Sequence, residues 1–439
     1  MKLAKRILLS VACAALLAAS WAAAITAKSS GQKQLELMES ASEYIADEVY
    51  VLAVPLLEEA AAYQTDRTLD AEEMLKMAYL HLLDQRGYTR KYVSLLEKQM
   101  AQENASPALF AEAAEFYLSR SKVQDALAVL RDGIEKTQHD KSLVELYETN
   151  RYQYVMGTTY YQDVTMTCAG AIQVKQNNLW GLAAANGSLQ IPCEYDQIST
   201  YSNDRVITSK DGVISAVNAD NNRVALFHGA AEKFGNYADD RFGYQAENAW
   251  RLATGTFHTG SVDFDEIGMY SNGYAPAKSG GKWGMVDTSG IEWLIPAEYE
   301  SAVQDLLGRA YAQNAVFMSR GGQVLLLVDG EETGNVYEDA RPFSDGWAAV
   351  KRDGKWGFID IQGNVMIDFQ FDDALSFGQH LAAVKEDGLW GYVSLRGELV
   401  IQPQFLNARS FYGGSAPVET VDGWRFITLL EYRGGSDLL

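Results

Sequence analysis

The sequence predicts an α plus β chain in two parts, N-terminal helical hairpins followed by an all-β array of about eight three-stranded units. Three observations carry this. Residues 35–147 are rich in Ala, Leu, Glu and Met, with apolar residues at helical spacing and only Pro55 and Pro107 interrupting. Near residue 150 the hydrophobic period falls from that of a helix to two. Beyond it a tryptophan returns with one local sentence, as in Gly281-Lys282-Trp283-Gly284, Gly354-Lys355-Trp356-Gly357 and Gly388-Leu389-Trp390-Gly391. Repetition at this length marks units that cannot bury their apolar faces alone and stack on their neighbours.

The first element is residues 1–27. Lys2, Lys5 and Arg6 precede an apolar run from Ile7 to Ala27, the pattern of a signal peptide or of an uncleaved signal anchor. Residues 7–27 are the one segment expected to contact a membrane, and the body is expected to be extracytoplasmic. Cys13 lies inside this run, which leaves Cys168 and Cys193 for the body. They form either a disulfide around the first Trp-Gly unit or two buried thiols. A net charge of −21, spread over both halves without a basic patch, argues against nucleic acid as a partner.

Residues 31–150 form the predicted helical domain. Its clearest hairpin runs from Pro107 to Tyr117, turns near Ser121-Lys122, and returns from Val123 to Lys136. Proline suits the first helical turn, where its missing N–H has no partner to lose. Glu72 to Met100 reads as a second pair, with Met77, Ala78 and Leu82 facing Val93, Leu96 and Met100, and residues 35–63 as a third. In the clearest pair, Ala114, Tyr117, Ala126, Leu130 and Gly133 fall where the tetratricopeptide repeat packs one helix on the next. The region resembles that family.

Residues 159–433 form the predicted β array. Trp347–Lys351 reads as a strand, Asp353-Gly354 as a tight hairpin turn, and Trp356–Asp360 as the returning strand. A third strand follows at Val365-Met366-Ile367, and Phe371-Asp372-Asp373-Ala374 is read as the end of the unit. Weaker copies give tryptophan slots at Trp180, Val213, Trp250, Trp283, Val324, Trp356, Trp390 and Trp424, spaced by 33, 37, 33, 41, 32, 34 and 34 residues, with an insertion before Val324. The motif residues Trp180-Gly181, Trp283-Gly284, Trp356-Gly357 and Trp390-Gly391 resemble the WG repeat family of bacterial proteins. Trp250-Arg251 and Trp424-Arg425 depart from it. The resemblance implies binding or scaffolding modules and brings no catalytic residues.

Trp356 and Phe358 share one face of their strand and Gly357 and Ile359 the other, so the tryptophan is expected to glue neighbouring units. Its glycine is expected where another backbone passes close by or a bulge forms. The last unit lacks a third strand. The extended segment Asp163–Thr167 could supply it, which favours propeller-like closure over an open solenoid.

No catalytic, cofactor or metal site is readable. The five histidines, His81, His139, His228, His258 and His380, show no metal-ligand spacing, and phosphate-loop, dinucleotide and nucleophile-elbow motifs are absent. Asp263, Asp265 and Glu266 form the densest acidic group, a candidate for calcium or for a glycosidase pair. Asp287, Asp360 and Asp372 recur with the repeat and are read as turn-capping carboxylates. The expected function is a non-enzymatic exported binding or scaffold protein with a protein or cell-wall glycan partner. The alternative is an extracellular polysaccharide hydrolase.

Overall fold

A computed structural model describes residues 29–432, so the predicted signal segment lies outside the described residues. The chain divides into two compact units, 1–147 and 148–439. In the first, helices α1 (29–46), α2 (Tyr50–Ala61), α3 (Thr68–Leu80), α4 (Tyr88–Met100), α5 (Pro107–Leu118) and α6 (Val123–Lys136) follow in order. A seventh, α7 (Lys141–Asn150), crosses the division. Among the described residues no helix is long and apolar enough to cross a membrane.

Local chemistry sets the α5–α6 hairpin. Pro107 opens α5 behind an extended Ser106, and Ser121 takes a left-handed conformation at the turn. Ala114, Ala126 and Leu130 are fully buried. A side chain at Gly133 would stand 2.6 Å from the Phe110 ring, so the small residue is what lets the two helices approach. On α3 the buried stripe is Ala71, Leu75, Ala78 and Tyr79, continuing to Leu82. Met77 lies off that stripe and is exposed, contrary to the sequence reading, because the helical period passes it by. Between α3, α4 and α5 the Lys76 ammonium meets Glu73 and Glu112, each at 2.8 Å, and the Tyr92 hydroxyl donates to Glu112. Burial opposes the Lys76 charge, but the two carboxylates hold its pKa above the usual value.

The second unit is a ring of eight antiparallel sheets. We number these blades in chain order: blade 1 (163–195), blade 2 (197–226), blade 3 (233–253), blade 4 (266–299), blade 5 (301–337), blade 6 (339–371), blade 7 (373–405) and blade 8 (407–429). Seven carry four strands rather than the expected three. The additional strand is only two residues long. Asp373–Ala374, read from sequence as the end of one unit, is the first strand of the next, pairing with Lys385 and Val384. Blade 3 has three strands, its fourth reduced to bridges at Trp250–Phe264 and Ala253–Thr259.

Closure is supplied by Tyr154–Met156, which pairs antiparallel with Leu429, Thr428 and Ile427 as the fourth strand of blade 8. The sequence reading placed closure at Asp163–Thr167 and the start of the array at residue 159. Asp163–Val164 is instead the first strand of blade 1, and the β unit begins earlier. A three-residue strand isolated before the repeat carries too little pattern to be seen from sequence.

The core of the ring is eight wedges, one between each pair of neighbouring blades. Among the described residues each wedge is a separate apolar cluster that draws on two consecutive blades. Strand alternation produces this arrangement. In blade 6, Trp356 and Phe358 face the seam with blade 7, while Ile359 faces the seam with blade 5. Blade 8 meets blade 1 through Trp424 and Phe426 packed on Val164 and Ile172, so the ring is closed by packing as well as by pairing.

Candidate functional site

The repeat tryptophans fall one to a seam. Trp283, Trp356, Trp390 and Trp424 are buried, and Trp180 and Trp250 are half-buried at the edges of their clusters. They are separated by whole blades and form no exposed aromatic row. Each buried ring removes about 150–250 Å² from water, worth roughly 4–6 kcal/mol at about 25 cal/mol per Å². Several also carry a cation on the ring face. Lys175 stands 5.4 Å from the Trp180 ring, Arg341 4.3 Å from Trp356 and Arg409 4.1 Å from Trp424.

The glycine after the tryptophan has a specific cause. Opposite Gly357 the fourth strand bulges, passing from Phe371 to Ile367 while the third strand advances only from Trp356 to Phe358. The bulged backbone lies across the glycine. A side chain at Gly181 would stand 2.5 Å from the Ile191 carbonyl oxygen, and one at Gly357 2.8 Å from that of Ile367. Gly284 and Gly391 meet the carbonyls of Ile295 and Ile401 in the same way.

Where the bulge is missing or moved, the glycine is gone. Ser215 pairs directly with Leu226 in blade 2, and Leu325 with Val336 in blade 5. Arg251 stands where the fourth strand is reduced to bridges, and Arg425 where the closing segment loops over it between Met156 and Tyr161.

One slot needs correction. In blade 2 Ser209 pairs with Ile214, as Lys351 pairs with Trp356 in blade 6. The residue in the tryptophan slot is therefore Ile214, which is buried, and not Val213, which is 48% exposed. A one-residue slip moves a side chain to the opposite face of a strand. Val324 does fill its slot. Its seam makes up the lost volume with Phe317 stacked on Phe343 at 5.4 Å and with Tyr337.

The recurrent carboxylates hold turns. Asp360 accepts from the backbone N–H groups of Gln362 and Asn364, and Asp287 from those of Ser289 and Glu292. Asp372, the single residue joining blades 6 and 7, accepts from the Asp387 N–H in the blade 7 hairpin and binds Lys355 at 2.7 Å. The Lys355 ammonium holds its pKa below the usual carboxylate value. Asp196, Asp265, Glu300 and Glu338 do the same for the hairpins of blades 2, 4, 5 and 6.

The Asp263, Asp265 and Glu266 group is spent on structure. Asp263 pairs with Arg251 at 2.6 Å, Asp265 caps the Gly281 hairpin, and Glu266 lies across from Lys278 in a strand pair. Among the described residues no group of three or more His, Cys, Asp or Glu could hold a metal ion. Cys168 and Cys193 are free thiols, not a disulfide. Burial pushes both above the usual thiol pKa.

The insertion before Val324 lies at the centre of the ring. The loop between the first two strands of blade 5 has twelve residues (303–314) where blade 6 uses six (341–346). It braces itself through Arg309 and Asp305, 2.6 Å apart, and Asp305 holds the pKa of the partly buried guanidinium up against the cost of burial. It reaches beyond its own neighbour: Asn236 of blade 3 donates to the Leu307 carbonyl, and Met269 of blade 4 to that of Gly308. Asn236 also accepts from Gln173 of blade 1, which stands opposite blade 5 in a ring of eight, so one side chain links the loop to the far side. The loop thus spans the central opening. Around that opening first strands are tied blade to blade, as when Arg409 of blade 8 donates to the Thr165 carbonyl of blade 1 at 3.0 Å.

A cleft of about 510 Å³ opens at the seam between blades 2 and 3. It is walled by Val213, Ile214, Leu226, Phe227, Ala231 and Ala246, with Glu232 and Glu247 at its mouth. No single sequence signal marks it. It arises where the slot holds isoleucine and where blades are joined by six residues (227–232) instead of one.

These features define an eight-bladed β-propeller built from Trp-Gly repeats, with seams as its core and a loop across its centre. The family model described as WG containing repeat matches residues 180–213, 262–283, 336–356, 356–390 and 390–424. The chain is a WG repeat-containing protein. No curated protein matches it by sequence. Solved structures similar to it include the AfRom2 CNH domain, at 9% identity, covering 64% of this chain and 98% of that one with a TM-score of 0.34. Another is the Myceliophteria thermophila Cps50 (Swd1) β-propeller domain, at 8% identity, 63% and 98% coverage and a TM-score of 0.32. YCF48 bound to D1 peptide shares 11% identity over 64% and 98% of the two chains, with a TM-score of 0.31.

Proposed function

We propose that this protein is a non-enzymatic, exported scaffold that presents the surfaces of its propeller to a protein partner. The observation that carries the reading is the commitment of the array's recurrent polar side chains to holding the ring. Its carboxylates cap hairpins and turns, and Asp263, one of the three clustered acids that the sequence offered as a candidate site, is paired with Arg251. What remains on offer is surface, and repeat architectures characteristically work through extended surfaces. Export is supported by Lys2, Lys5 and Arg6 ahead of the apolar run 7–27.

Crosslinking in intact cells followed by affinity recovery of the full chain tests the scaffold reading. A reproducible protein partner is expected, and recovery of wall glycan alone, or of nothing, would overturn it. Release of reducing ends from extracellular polysaccharide by the purified chain would overturn the non-enzymatic part. Fractionation of cells should place the chain outside the cytoplasm, and a cytoplasmic pool alone would refute export.

A further inference from the structure

We propose that the cleft between blades 2 and 3 receives an aromatic side chain, carried beside a lysine or arginine on an extended segment of a partner protein. The partner would supply from outside the ring residue that this seam omits. This deepens the scaffold reading and rests on it.

The chain itself provides the template. In six of eight seams the slot holds a tryptophan. The seam at Val324 has none but is filled by the Phe317–Phe343 stack and Tyr337. The seam at Ile214 also gathers rings, Phe227 lying 5.3 Å from Tyr244 and 5.4 Å from Phe257, yet a cleft of about 510 Å³ still opens on it where the slot holds isoleucine. A pocket of this size, lined about equally by polar and apolar surface, suits a bulky side chain with an apolar body and a polar neighbour.

Charge points the same way. The acid or amide that joins one blade to the next caps the following hairpin in blades 1, 2, 4, 5, 6 and 7. Glu232 holds that position before blade 3, yet its exposed carboxylate caps no backbone N–H and lies at the cleft mouth. Beside it Glu247 is 82% exposed, with Arg251 only at 3.8 Å. A slot walled in part by Ile214, Leu226 and Phe227, beside two weakly engaged carboxylates, suits an aromatic residue flanked by a cation. That is the pairing the ring uses internally where Lys175 covers Trp180 and Arg409 covers Trp424.

The test uses the full chain and a labelled peptide, acetyl-Gly-Lys-Trp-Lys-Gly-amide, followed by fluorescence anisotropy. Saturable binding is expected, weakened at least about tenfold when the peptide tryptophan becomes serine or its lysines become glutamates. Two variants should weaken it comparably: Ile214→Trp, which fills the slot from within, and Glu232→Lys, which reverses the rim. Glu232 is exposed, so its variant keeps the test valid if Ile214→Trp does not fold. No saturable binding at millimolar peptide, equal binding of the altered peptides, or undiminished binding by both variants would each overturn the cleft. In the cellular crosslinking experiment, a protein partner captured equally by wild type and Glu232→Lys would sink the cleft while leaving the scaffold. Capture of no protein partner would sink the scaffold itself.

Discussion

Replacing Gly181 by alanine tests the account of the Trp-Gly motif most directly. The added methyl would stand 2.5 Å from the Ile191 carbonyl oxygen and 2.8 Å from the Cys193 nitrogen, both backbone atoms of the bulged fourth strand. Backbone in a paired strand cannot swing aside as a side chain can, so the bulge must shift. Overpacking of this kind costs about 1–3 kcal/mol, and a backbone partner places it toward the upper end. Alanine also lowers the entropy of the unfolded chain, an offset of about 0.4–1 kcal/mol. The net loss is about 2 kcal/mol, or roughly 4 °C in Tm for a unit of this size. Gly235→Ala is the control. Its methyl would meet nothing closer than the Gly243 carbonyl at 3.7 Å, so only the favourable entropic term applies. Scanning calorimetry should show Tm falling for Gly181→Ala and level or rising for Gly235→Ala. A rise in the first, or an equal fall in both, would refute the bulge as the reason for the glycine.

Other consequences follow from the seams and from burial. Trp356→Ala, at a site only 3% exposed, should cost about 3–5 kcal/mol in denaturant unfolding, and Trp180→Ala distinctly less because that ring is half-buried. Arg409→Met should cost about 2–3 kcal/mol, since it leaves the Thr165 and Val164 carbonyls without their charged donor. Added salt should mimic little of that loss, because the partners are not ions. Burial, and then the hydrogen bond to Asp240, push Tyr237 up to about 12. A pKa raised on folding gives stability that is whole below the unfolded value near 10 and is lost as pH climbs toward 12. Tyrosinate absorbance and Tm followed across that window should move together, and in Tyr237→Phe this share of the alkaline loss should disappear.

Much of the ring is legible in sequence because its commonest elements have strong local chemistry. Asp353-Gly354 and Asp387-Gly388 take the left-handed conformations of a two-residue hairpin turn, which few other residue pairs accept so cheaply. Trp and Gly alternate faces, so their jobs can be assigned before any coordinates. The misses share a physical cause. First strands such as Asp373–Ala374 make two pairings and hold their place through neighbouring blades, information that lies outside their own residues. The closing strand Tyr154–Met156 is specified by the edge of blade 8, more than two hundred residues away in the chain. The slip at Val213 shows the limit of turn counting. Asp211-Gly212 forms the blade 2 hairpin turn, but without a tryptophan to mark the face, turn position alone leaves one residue of offset open. The cleft is a product of absence, and absence has no motif.

A closed ring gives that absence a particular meaning. In an open stack a poorly filled interface can be relieved by a small rotation that propagates to a free end. Closure removes that freedom, since pairing of Tyr154–Met156 with blade 8 fixes the circumference that the eight wedges must share. A seam short of volume must therefore be filled by other side chains, as at Val324, or be filled only in part, as at Ile214, where Phe227, Tyr244 and Phe257 pack together and a cleft remains. An open seam has lost the contacts that its neighbours make. Filling it from outside should strengthen the whole ring, because a ligand that binds only the folded state stabilises it by mass action. The peptide that saturates the cleft should thus raise the Tm of the propeller, by about 2.7 kcal/mol in stability at a hundredfold excess over Kd. It should leave Tm unchanged in Ile214→Trp, where the seam has supplied its own tryptophan. A peptide that raised the Tm of Ile214→Trp as much as that of the wild type would show that the site lies elsewhere than in the seam.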